Sequence, residues 1–321
     1  MPHRRRLLSL FAAAPLAAAP AMTGCETNPA TGRSQFIALS REQEVAIGAE
    51  SAPQMLQEYG GEVRSTTVQA YVRQVGQSLA AETEADYPSL PWEFFMLDSQ
   101  VINAFALPGG KVFISRGLAE KMTNEAQMAF VLGHEVGHVT ARHINDRMVE
   151  QMKVQIGAGV LAALLGQGEA GLVQQAGLAL VDLGGQGYLL RFNREQELQA
   201  DALGMRYMVE AGYDPVGALQ AMQILDREGG ARGGPEFLQT HPYPDTRIAR
   251  IQERLDGEYA QAAGSPRLEL HAERFQQQAL RPLSQLPPSS ARAPGEPERI
   301  ALADPATWCA VCRSEEHAHS N

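Results

Sequence analysis

Two imidazoles and a carboxylate stand together in the pentad His134-Glu135-Val136-Gly137-His138. On an α-helix, residues four apart lie about 40° apart in projection, so His134 and His138 can reach one ion from one face. Glu135 then sits beside that ion, where it can take the proton of a water whose pKa zinc has lowered to about 7. The chemistry implied by this spacing is zinc-assisted attack of water on a peptide carbonyl.

Two imidazoles leave such a zinc short of one protein ligand. His143 is the nearest rival, yet the H-E-x-x-H-x-x-G-x-x-H pattern fails twice here: Ala141 stands at the glycine position and His143 falls one residue early. In a helix continued past His138 it would point about 180° from His134, so it is read as structural. A carboxylate on a later helix is the better candidate. In Arg194-Glu195-Gln196-Glu197-Leu198-Gln199-Ala200-Asp201, Glu197 and Asp201 share a helical face. Glu197 would complete a His-His-Glu site with the fourth position left to water, and Asp201 would accept the far N–H of a ligand histidine. Alone, both would read as solvated surface charges; beside a pentad lacking a third ligand, the metal reading prevails.

The elements that must position these groups follow from the flanks. Thr123 or Asn124 caps a helix with an apolar face from Ala126 to Leu132, expected to run to about Met148. Val101 to Leu107 and Val112 to Ser115 are β-prone and separated by Pro108-Gly109-Gly110, a hairpin signal. Its edge strand, through Asn103 and Ala104, offers main-chain groups that can pair with an extended substrate. His241 lies in Gln239-Thr240-His241-Pro242-Tyr243-Pro244, a loop because each proline blocks helix continuation. Three roles stand open for it: stabilising the oxyanion, occupying the fourth metal position and holding the site latent, or fastening the loop. Tyr243 is a weaker candidate of the same kind.

Four blocks resemble one known family, the HtpX-like, CAAX-prenyl-protease-type zinc metallopeptidases in their bacterial lipoprotein and periplasmic branch. They are Asn103 to Gly110; the pentad; Glu197 to Asp201 followed by Ala211-Gly212-Tyr213-Asp214-Pro215; and His241-Pro242 with Arg247. The resemblance implies an α+β, mostly helical gluzincin (zincin-like) fold whose small sheet turns an edge strand to the zinc cleft. It implies one zinc on His134, His138 and Glu197, with Glu135 as general base. Asn193 and Gln199 depart from the serine and glutamate common at these places, which touches substrate contacts rather than ligands.

The remainder sets an address. Arg4, Arg5 and Arg6 precede an apolar stretch from Leu7 to Met22, too short to span a membrane comfortably. Residues 1–24 read as a signal peptide, and Met22-Thr23-Gly24-Cys25 resembles a bacterial lipoprotein cleavage site, making Cys25 the lipidated residue. Outer membrane is favoured over inner, with a soluble periplasmic product as the rival. The net charge of −10 becomes −13 without those three arginines, which excludes nucleic acid as a natural partner. Residues 25–39 read as a tether, 40–258 as the peptidase domain and 259–321 as a Pro-rich flexible tail. Ser40 with Gln43 forms a capping box for a helix reaching about Tyr59, and Val68, Tyr71, Val72, Val75 and Leu79 line a core helix. Leucine-rich 154–187 reads as a core hairpin or a lid over the cleft. Cys309 and Cys312 read as a local disulfide before a metal or redox pair.

The expected function is a zinc endopeptidase of the cell envelope acting on misfolded or unassembled envelope proteins, with envelope assembly machinery as a partner. The alternatives are a chaperone or assembly-factor lipoprotein with a structural or latent zinc site, and an aminopeptidase, for which no residue marks a grip on a free N-terminus.

Overall fold

Alternation along three short strands fixes the layering. In the computed structural model, which describes residues 25–147, 149–150, 191–229 and 236–289, β3 (Glu93–Leu97), β4 (Ala104–Leu107) and β5 (Lys111–Ser115) form a sheet of order β3-β5-β4. β3 runs parallel to β5 and β4 antiparallel to it, with Phe105 opposite Phe113. Successive side chains of a strand face opposite ways. Phe94, Met96, Ala104, Ala106, Val112 and Ile114 therefore enter the main core, whereas Phe95, Leu97, Phe105, Leu107 and Phe113 form a second cluster. Helix α1 (Arg41–Glu58) covers the second face through Ala52 and Met55. Helix α2 (Thr66–Ala81) and α4 (Glu125–Thr140) cover the first, α3 (Arg116–Ala119) being a single turn between β5 and α4.

The expected start signals hold. Ser40 and Gln43 make the reciprocal capping box of α1, and Asn124 caps α4 by accepting from the Gln127 N–H. The β4–β5 connection is the expected hairpin; Gly109 and Gly110 take φ of +74° and +92°, which glycine adopts without steric cost.

After α4 the described chain resumes with α5 (Arg194–Glu210), α6 (Val216–Gly229), α7 (Glu236–Thr240) and α8 (Pro244–Asp256). It closes with a helical stretch, α9, formed by Ala272–Phe275, a π turn at Gln276–Leu280, and Arg281–Ser284. α4 is central, packing on α2, β4, α5 and α6, and every one of its residues is buried.

Four expectations are corrected. α4 does not run to Met148: it ends at Thr140, and Arg142 turns to φ +57°. The turn is pinned because the Arg142 guanidinium reaches Glu44 and the Leu39 carbonyl, and a new helical run starts at His143. Residues 25–39 are not a tether. Cys25–Thr27 (β1) and Ser34–Phe36 (β2) pair antiparallel, and the hairpin docks where Asn28 and Gln35 donate to the carbonyls of Thr140 and Ala141 that α4 leaves unpaired. The tail does not begin at 259. Phe275, Ala279 and Leu283 recur every four residues and join the main core, while Arg274 pairs with buried Glu125. The strand expected from Val101 starts at Ala104, because the Ile102 carbonyl and the Asn103 side chain bond to α7 instead. The signal segment 1–24, the 154–187 hairpin and the Cys309–Cys312 pair lie outside the described residues.

Candidate active site

Small residues bring the ligands together. Where α4 crosses α5, a Cβ added to Gly204 would lie 2.8 Å from the His134 nitrogen, and one added to Gly137 would lie 3.0 Å from the Ala200 carbonyl. The two backbones therefore touch at the level of the pentad, and Glu197 and Asp201, one turn and two turns along α5, face His134 and His138.

The four donors of His134, His138, Glu197 and His241 all lie within 4.8 Å of one another. His134 Nε2 is 3.0 Å from His138 Nε2 and 3.3 Å from His241 Nδ1. Glu197 oxygens lie 3.5 Å from His134 Nε2, 3.5 Å from His138 Nε2 and 3.0 Å from His241 Nδ1. Four donors each about 2.0–2.1 Å from a tetrahedral zinc stand about 3.3–3.4 Å apart, and these separations straddle that value. Aromatic faces close the site: Phe192 stacks on His138 at 3.8 Å between centroids and Phe237 on His241 at 4.4 Å.

The electrostatics ask for a cation. Burial holds the His138 and His241 imidazoles well below their ordinary pKa, and His134 below its own, so all three are neutral and able to ligate. Burial pushes Glu197 up to about 7 against the pull of Arg247. It pushes Glu135 well above the carboxylate range, the nearby Glu197 adding to the effect. The Ala106 main-chain N–H on β4 partly offsets this, yet neither Glu135 oxygen meets a donor at full hydrogen-bond geometry among the described residues. Arg247 Nη1 lies 2.8 Å from Glu197 Oε2 in a charge contact whose N–H direction misses that oxygen. Glu135 and Glu197, both raised by burial, have only the Arg247 guanidinium near them, and Asp201 already shares it, so a cation among them would favour their ionised, metal-binding forms.

Asp201 lies behind the His134 ring. Its Oδ1 lies 2.9 Å from His134 Nδ1, and Arg247 grips both of its oxygens at 2.6 and 2.8 Å. Burial alone would raise the Asp201 pKa; the Arg247 charge and these hydrogen bonds hold it well below the usual range instead. Because Asp201 accepts from Nδ1, the metal-facing Nε2 of His134 keeps its lone pair.

His241 falls inside the donor cluster and is fully buried, its Nε2 lacking a hydrogen-bond partner among the described residues. Tyr243 does not join it: it is 37 % exposed and stacks under the Arg194 guanidinium. Ala104 is buried on the β4 edge strand. Asn103, just before it, donates its side-chain N–H to Glu236 at 3.0 Å, and the Phe237 N–H donates to the Ile102 carbonyl at 3.2 Å.

Sequence reasoning missed Arg247 as the counter-ion of both Glu197 and Asp201, and Phe192 as a wall of the site. It also set His143 aside, whereas the break at Arg142 turns this ring onto His138. For Arg247 and Phe192 the partners lie far along the chain, and for His143 the decisive contact is that of Arg142 with Glu44, 98 residues earlier.

Fold and donor set together define a zincin-like metallopeptidase domain: an edge strand beside a helix that presents the pentad, with a second helix supplying Glu197. The sequence profile of peptidase family M48 matches residues 66–255, and the chain belongs to that family. It is 31% identical over 231 residues to the beta-barrel assembly-enhancing protease of Yersinia pestis, covering 71% of this chain and 47% of that one. It is 30% identical over 276 residues to a putative beta-barrel assembly-enhancing protease of Vibrio cholerae, covering 84% and 56%. The mitochondrial metalloendopeptidase OMA1 of Schizosaccharomyces pombe is 30% identical over 246 residues, 73% of this chain and 67% of that one. The chain thus spans about half the length of the bacterial relatives it matches.

Proposed function

We propose that this chain is a zinc-dependent endopeptidase of the bacterial cell envelope, acting on misfolded or unassembled envelope proteins. The observation that carries the reading is the convergence of His134, His138, Glu197 and His241 within 4.8 Å, with Glu135 raised and lacking a donor beside them. Held by these residues, a zinc ion would supply Lewis-acid chemistry, polarising the scissile carbonyl and lowering the pKa of water. Glu135 takes the proton of the attacking water and passes it to the departing amine nitrogen. The edge of β4 at Asn103 and Ala104 pairs with an extended substrate, and the Ala106 N–H on that strand faces Glu135, placing strand and base on one side of the cleft.

His241 holds the resting enzyme latent. Four protein donors are the complement of a closed zinc site, whereas catalysis needs one position for water. The α7 turn that precedes His241 is bonded to Ile102 and Asn103 at the head of the substrate strand, so its release frees the fourth metal position and the strand together. Support for the address comes from Arg4 to Arg6, the apolar stretch after them, and the exposed, free Cys25, which we read as a lipid anchor in the outer membrane. No helix among the described residues is long and apolar enough to cross a membrane. The names of the Yersinia and Vibrio relatives support an envelope assembly context.

Substitution of Glu135 by glutamine tests the reading. Purified Glu135→Gln is expected to hold one zinc by elemental analysis and to lose cleavage of an unfolded protein such as casein by at least about 100-fold. Equal cleavage by both forms would overturn the mechanism, and loss of zinc from the variant would make Glu135 a ligand rather than the base.

A further inference from the structure

Both pentad histidines point one nitrogen at the donor cluster and the other away from it. For His134 the far nitrogen meets Asp201. For His138 it meets another imidazole: His138 Nδ1 lies 2.9 Å from His143 Nδ1, and His143 Nε2 lies 2.9 Å from Gln199 Oε1. His138 and His143 are buried at 1 % exposure, and Gln199 stands at the rim of a cavity of about 260 Å³ that opens to solvent.

With Gln199 turned to present Oε1, the hydrogen bonds along this row run in one direction. Gln199 Oε1 is an acceptor and cannot donate. His143 Nε2 must then carry the proton. A neutral imidazole has one N–H, so His143 Nδ1 is a lone pair and accepts from His138 Nδ1. His138 is thereby left with its lone pair on Nε2, the atom 3.0 Å from His134 Nε2 in the donor cluster. A reversed row would put the proton on Nε2 and remove His138 as a ligand.

We propose that His143 and Gln199 are positioning residues that fix the metal-binding tautomer and orientation of His138, as Asp201 does for His134. The row exists because α4 stops at Thr140. On an uninterrupted helix His143 would stand about 140° around from His138; the left-handed Arg142, tied to Glu44 and the Leu39 carbonyl, swings it back. Phe192, stacked on His138 and 6.0 Å from His143, keeps both rings in place. The two braces differ in charge, since Asp201 is an ion paired with Arg247 and the His143–Gln199 row is neutral.

The inference rests on the zinc site proposed above, and zinc affinity, measured by competition with a chromophoric chelator, tests it independently of cleavage. His143→Leu removes the acceptor and is expected to weaken zinc binding roughly 10–100-fold. His143→Asn places an amide oxygen near the lost Nδ1 and is expected to recover affinity to within about threefold of the natural protein. A cobalt-loaded sample should show a shifted visible spectrum in His143→Leu and the natural one in His143→Asn. Should His143→Leu fail to fold, the partly exposed Gln199 carries the test. Gln199→Glu, still an acceptor, should bind zinc at least as tightly as the natural protein, and Gln199→Leu several-fold more weakly. Equal affinity in His143→Leu, or equal weakness in the Leu and Asn variants, would overturn the proposal in favour of simple packing. Equal affinity in the two Gln199 variants would do the same. A natural protein that binds no zinc would instead overturn the site reading itself.

Discussion

The α4–α5 crossing and the seam between α7 and β4 hold donors to the same cluster by opposite means. At the crossing, glycine faces backbone, with Gly204 against His134 and Gly137 against Ala200, and the charges behind it are closed by Asp201 and Arg247. At the seam, α7 is a five-residue turn tied by the Phe237 N–H to Ile102 and by Glu236 to Asn103 and Tyr59. Close packing resists displacement because every shift loses many contacts at once. A few polar bonds contribute about 1 kcal/mol each. On the proposed reading the difference separates the roles: His134, His138 and Glu197 would be the permanent ligands, and His241 the donor that leaves.

Breaking the crossing should cost most. Gly204→Val drives two methyls into the α4 backbone and is expected to lower stability by about 3 kcal/mol, read as a fall of roughly 10 °C in the thermal midpoint. Zinc binding should fall with it; an unchanged midpoint would mean the helices part easily. Asp201→Asn keeps the shape but leaves Arg247 half-paired in a dry site, so zinc affinity should drop roughly 10–100-fold with His241 still in place. Loss of the His241 contact in that variant would place the seam, not the crossing, under the control of Asp201.

The seam gives the smaller effect and a pH signature. Burial raises the Glu236 pKa above its ordinary 4.5, against the hydrogen bonds from Tyr59 and Asn103. A raised carboxylate favours the fold while protonated, so its contribution is fully present below about 4.5 and is lost as pH rises through the raised folded value. Thermal midpoints measured from pH 4 to pH 7 should therefore fall more with pH in the natural protein than in Glu236→Gln. Parallel profiles would remove Glu236 from the seam. Cleavage of an unfolded protein by Glu236→Ala should equal or exceed that of the natural protein, because the turn carrying His241 loses its ties to Tyr59 and Asn103.

Sequence was a good guide where chemistry is local. The pentad, the Ser40 and Asn124 caps and the Pro108-Gly109-Gly110 hairpin each declare themselves within a few residues. Glu197 and Asp201 were legible because their four-residue spacing mirrors that of the pentad. Three features were not legible, for a common reason. The end of α4 depends on Arg142 meeting Glu44, 98 residues earlier. The docking of residues 25–39 depends on carbonyls that this same break exposes. The neutral brace on His138 depends on the turn that follows from both. Helical periodicity extrapolated through Arg142 predicted a longer helix and turned His143 away from the site.

The central claim is that zinc is held by three imidazoles and one carboxylate at rest, and that one imidazole is expendable. X-ray absorption at the zinc edge counts imidazole ligands through their outer-ring scattering. The resting natural protein should show three, and His241→Ala should show two with a water-like oxygen added while casein cleavage is kept or raised. Two imidazoles in both proteins, or loss of cleavage in His241→Ala with zinc retained, would contradict the account and make His241 part of the catalytic step instead of its restraint.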